Sequence, residues 1–114
     1  MAITLKNLAG KLINNSYPSN VEQSLYTPSA SGKSGLVKNI LLTNVHTIAV
    51  TVDIFYFSGS ARFRIAPKTL SIPSLAQVVL DSEITLAYGQ SITANNVSVD
   101  DKIECVINGL ERDV

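Results

Sequence analysis

Apolar side chains in this sequence recur at every second position far more often than at every third or fourth, the period of strands that turn alternate residues toward a core. The clearest run sets Ile48, Val50, Val52, Ile54 and Tyr56 against Ala49, Thr51, Asp53 and Phe55. It follows a second apolar-rich run, residues 36–45, after little more than His46 and Thr47, and that spacing predicts a central hairpin. Further strands are predicted over residues 21–26, 61–66, 70–72, 76–80 and 84–88, bounded by Ser58-Gly59-Ser60, Pro67, Pro73 and Gly89. A last strand sets Ile103, Cys105 and Ile107 against Lys102, Glu104 and Asn108, and Asn108-Gly109 closes it. Residues 27–35 gather turn formers too densely for a regular element and read as a loop.

Seven to eight short strands at this spacing predict an all-β fold, an antiparallel β-sandwich or jelly-roll-like domain over residues 24–114. Residues 1–23 are less patterned and read as an N-terminal arm or an edge strand with a loop. Leu5, Leu8 and Leu12 come nearest to helical spacing, but Gly10 among them costs about 1 kcal/mol in a helix interior. Helix is therefore a minor component of the prediction.

Composition narrows the function classes. The 114 residues suit one domain with a single core. Hydrophobic residues make up 46% and charged residues only 16%, below the roughly 25% usual for soluble domains, so other chains are expected to cover part of the surface. A net charge of +0 lacks the cationic excess that phosphate neutralisation needs, and no direct nucleic-acid partner is expected. No stretch approaches the ~20 apolar residues of a membrane span and the N-terminus lacks a signal-peptide pattern, so a cytoplasmic, membrane-free protein is expected. Cys105 is the only cysteine, which rules out an internal disulfide, and its place in an alternating run marks a buried structural thiol.

Reaction chemistry is sparse. Gly32-Lys33-Ser34 resembles the end of a phosphate-binding loop, yet Thr27 stands where that loop needs glycine and a strand follows where it needs a helix. His46 has no second histidine or nearby cysteine to work with. Asp81 with Glu83, and Asp100 with Asp101, sit beside turns rather than across a cleft. No enzyme activity, metal or cofactor is expected. Tyr56 and Tyr88 follow core parity, which leaves little for a sugar-stacking platform. Arg62 and Arg64 put two guanidinium groups on one strand face, suited to a partner's carboxylates, and Ile3, Leu5, Leu8 and Leu12 give the arm an apolar side for the same purpose.

Several segments, taken in order, carry a resemblance: Tyr26-Thr27-Pro28 before a Ser/Gly loop, residues 37–44, Ala66-Pro67-Lys68-Thr69, Leu86-Ala87-Tyr88-Gly89-Gln90-Ser91-Ile92, and the ending Ile103-Glu104-Cys105-Val106-Ile107-Asn108-Gly109-Leu110-Glu111. Over residues 24–111 the chain resembles small β-sandwich structural proteins of tailed-bacteriophage virions, with Asn44, Gly89 and the Gly109-Leu110-Glu111 end as the distinctive marks. The resemblance implies a non-enzymatic virion protein, assembled in the host bacterial cytoplasm, that decorates or cements the capsid as a homo-oligomer, with a trimer among the options. Its implied partners are its own copies and the major capsid protein or neck and tail proteins. The alternative it implies is a neck or tail appendage that binds a host-surface glycan or receptor.

Overall fold

A computed structural model describes residues 6–13, 23–81, 83–95, 97–99 and 102–113. Strands β1 (Lys6–Ile13), β2 (Gln23–Tyr26), β3 (Lys33–Asn44), β4 (Val50–Phe57) and β5 (Arg62–Arg64) are followed by β6 (Leu70–Ile72), β7 (Gln77–Leu80), β8 (Ile84–Ala87), β9 (Ser91–Asn95) and β10 (Ile103–Asp113). They make two antiparallel sheets. One has the order β1-β10-β3, with both β7 and β8 paired to β3; the other has the order β2-β9-β4, with both β5 and β6 paired to β4.

The count of ten strands among the described residues, against the seven to eight predicted, has a simple cause: two edge positions are each broken in half. β7 faces residues 40–43 of β3 and β8 faces residues 34–37. Opposite the break, β3 carries one residue more than its other neighbour, because Asn108 faces Asn39 while Gly109 faces Val37. Lys38, the extra residue, forms an ion pair with Glu83 across the break. β6 and β5 divide β4 in the same manner, over residues 50–52 and 55–57. Counting each broken edge once gives eight positions in the orders 1-8-3-6 and 2-7-4-5, the winding of a jelly roll.

The predicted central hairpin does not form. β3 and β4 lie in different sheets, and residues 45–49 carry the chain across the core from one to the other. A two-residue hairpin turn favours residues at home with positive φ, which His46-Thr47 does not supply. Asn44 builds a different connection. Its side chain is 1% exposed, its Nδ2 donates to the carbonyls of Ile48 (2.9 Å), Ile72 (2.9 Å) and Pro73 (3.2 Å), and its Oδ1 accepts from the His46 amide at 2.8 Å.

Both sheets turn apolar side chains inward, among them Ile13, Leu25, Ile40, Leu42, Ile54, Ile92 and Ile107, all at most 1% exposed. Burying one such side chain is worth roughly 1.5–3 kcal/mol. The bulge resets parity in β3, so Val37 before it and Ile40 and Leu42 after it all reach the core. Two further corrections concern the C-terminal half. β9 has one large apolar residue and was not predicted, yet it lies between β2 and β4 with all five residues buried. β10 runs through Asn108-Gly109 instead of closing there.

Candidate functional site

Of the segment read as an arm or edge strand with a loop, residues 6–13 pair with β10 at the edge of the first sheet. Leu8 and Leu12 lie on strand β1, not on a helix. Leu8 sits at an irregularity between Asn7 and Ala9 and packs against the core, while Leu12 is 46% exposed. Ile3 and Leu5 lie outside the described residues, and the two described positions proposed to meet a partner are divided between the inside and the surface.

Arg62 and Arg64 do share a face, as their spacing requires; both are exposed, and both also have partners within the chain. β5 pairs with β4 so that Arg64 stands opposite Phe55, and both guanidinium groups lie over the Phe55 ring, 4.8 and 4.9 Å from its centroid. Arg64 Nη1 also reaches Asp53 Oδ1 at 2.8 Å, and the same carboxylate oxygen accepts from the Thr69 amide at 2.7 Å. Asp53 and Phe55 are thereby buried although they alternate with core positions. A carboxylate out of water needs such partners. The arginines roof the sheet and hold the connection from β5 to β6, which is a structural task.

A second polar arrangement closes the mouth between β1 and β2, beside a cleft of about 260 Å³ lined in part by Asn7, Lys11, Tyr26 and Glu111. Glu111 Oε1 accepts from the Tyr26 hydroxyl (2.9 Å) and the Ser29 amide (2.7 Å), and Oε2 accepts from Ser29 Oγ at 3.1 Å. Burial first, then the neighbouring carboxylate, raises the Tyr26 phenol well above its usual range, so it stays a proton donor in this bond. The ring fits because residue 35 is glycine: a Cβ there would stand 2.5 Å from the Tyr26 oxygen. The arrangement ties the end of β10 to the loop after β2. Sequence spacing gave no sign of this pairing, since the partners are 85 positions apart.

Cys105, Lys33 and Glu83 each have a defined place in the described residues. Cys105 is 2% exposed and burial pushes its thiol up to about 12. A thiol reagent at about pH 8 is expected to leave the native protein unmodified and to label Cys105 only in denaturant; rapid native labelling, followed by mass spectrometry, would contradict that placement. Lys33 pairs with Asp113 at 2.7 Å and opens β3, so it faces no phosphate loop. Glu83 is engaged by Lys38, and Asp100 and Asp101 lie outside the described residues. Among the described residues no group of His, Cys, Asp and Glu is placed to hold a metal, and no helix is long and apolar enough to cross a membrane.

The described surface also carries exposed apolar side chains. Val45 (44%), Ile48 (57%) and Leu75 (70%) stand out on the loops 45–49 and 73–76, which are joined by the Leu75 amide donating to the His46 carbonyl at 3.3 Å. Leu75 holds a φ of 56°, a backbone state costly for a leucine. Tyr88, expected in the core by parity, is instead 58% exposed in the turn after β8, and Phe63, 57% exposed, stacks on Tyr56 with ring centroids 6.2 Å apart. No family model and no curated protein matches this chain.

Proposed function

We propose that this chain is a non-enzymatic structural protein that works by covering and being covered, and that its setting is the virion of a tailed bacteriophage, where it decorates or cements the capsid. The observation that carries the reading is the apolar end formed by Val45, Ile48 and Leu75, whose loops contain no charged residue and whose strained Leu75 backbone holds a bare side chain outward. Such a tip gains free energy when another protein takes it out of water. The low share of charged residues and the resemblance over residues 24–111 support the same reading.

The test is to add the purified protein to phage particles assembled without it. Saturable, stoichiometric binding that raises the particle's resistance to heat is expected, and Leu75→Asp is expected to lower occupancy about tenfold or more while leaving the sandwich folded. Particles that take up none of the protein would overturn the capsid role. Exposed Tyr88 and Phe63 favour a second reading, an appendage that stacks on host-surface sugars, and binding to host cells in place of particles would select it.

A further inference from the structure

The outer face of the first sheet is written almost symmetrically. Ile103, Cys105, Ile107 and Gly109 of β10 are buried, so Glu104, Val106, Asn108, Leu110 and Arg112 point the other way. Reading outward from Asn108 in either direction gives an aliphatic residue and then a charge, negative at one end and positive at the other. β3 repeats the central part of the arrangement through its register, with Leu41 beside Val106, Asn39 beside Asn108, and Leu36 beside Leu110. The bulge in β3 makes this possible, because it keeps both leucines facing out on either side of Asn39.

We infer that this face binds a second copy of itself about a twofold axis lying across the strands at Asn39 and Asn108. This rests on reading the chain as a structural protein that associates with its own kind. Turned about that axis, Glu104 of each copy meets Arg112 of the other, and Val106 and Leu41 meet Leu110 and Leu36. Neither Glu104 nor Arg112 has an ion-pair partner among the described residues, so the charges stand ready to pair across the interface. At the axis, Asn108 Nδ2 donates to Asn39 Oδ1 at 3.0 Å, which leaves each amide an N–H and an oxygen lone pair to exchange with the same residue of the second copy. A central asparagine pair sets register in the way a buried polar residue does in other symmetric interfaces.

The face also has room for the contact. One shallow depression is bordered by Gly10, Leu12, Glu104 and Val106, and a Cβ on Gly10 would meet nothing within 4 Å. A second lies around Leu36, Thr85, Leu110 and Arg112 at the other end of the sheet. Four strands about 4.8 Å apart and eight residues long offer roughly 500 Å² per copy, about 1,000 Å² in all, the lower limit for a specific interface. The dimer is therefore concentration-dependent.

Sedimentation equilibrium on the full chain over a wide concentration range tests this. The wild type is expected to move from 12.2 kDa toward twice that mass. Glu104→Arg and Arg112→Glu, each alone, place like charges together and weaken association about tenfold or more, while the double reversal restores it. Thermal unfolding of each variant monitors the fold, and the neutral pair Glu104→Gln with Arg112→Gln gives a milder loss should a reversal unfold. A wild type that stays monomeric, or single reversals that associate as well as the wild type, would overturn the inference. Particle binding measured on the same preparations then shows whether the structural role has failed with it or stands alone.

Discussion

Gly109→Ala is expected to cost at least about 3 kcal/mol of stability or to prevent folding outright. A Cβ at this position would lie 1.9 Å from the Leu36 carbonyl oxygen, 2.9 Å from its carbon and 3.0 Å from Leu8 Cδ1. The first two atoms are backbone in the middle of the ladder between β3 and β10, so they cannot swing aside without breaking the longest strand pairing in the molecule. Gly10→Ala provides the control, since open space awaits its methyl group; restricting the unfolded chain there should leave stability unchanged or raise it by about 0.5 kcal/mol. Urea unfolding followed by circular dichroism compares the two. A Gly109→Ala protein within about 1 kcal/mol of wild type would show that the bulge beside it relaxes freely.

Asn44→Asp is expected to cost about 3 kcal/mol at neutral pH, although the two side chains have the same shape. The amide nitrogen now donates toward three carbonyl oxygens, of Ile48, Ile72 and Pro73, in a site 1% exposed. An ionised carboxylate would put a fourth acceptor, and a charge, among them. The new carboxyl would hold its proton to a higher pH in the folded state than in the unfolded one. The penalty therefore grows as pH rises through that interval and shrinks toward about pH 4, where a protonated carboxyl can donate one bond. Unfolding measured at several pH values would show this slope, and a flat difference between variant and wild type would remove the proposed role of the amide.

These two residues also show what the sequence made legible and what it did not. Alternation marked β4, β10 and the jelly-roll-like class, because a two-residue period is a local property that burial imposes directly. Asn44 and Gly109 stand out in the sequence as distinctive, but their tasks depend on contacts with segments that arrive from elsewhere in the chain. The expected hairpin failed for that reason: two adjacent strands look the same whether they pair with each other or cross to opposite sheets. β9 escaped notice because Ser91, Thr93 and Asn95 are polar, and only its place between β2 and β4 buries them. Arg62 and Arg64 were correctly put on one face, while their partners Asp53 and Phe55, brought there by strand register, could not be read from spacing.

The two broken edge strands bear on how the protein behaves when crowded. An unbroken edge offers a continuous row of free amide and carbonyl groups to any other edge, and chains that meet in this way grow without limit into fibres. Here the rows beyond β3 and β4 come in pieces of three or four residues, β7 with β8 and β5 with β6, too short to template an incoming strand. Growth by edge addition is cut off on that side, so crowding alone does not drive strand-to-strand growth there. On that side association is left to faces and loop tips, which favours finite, countable complexes.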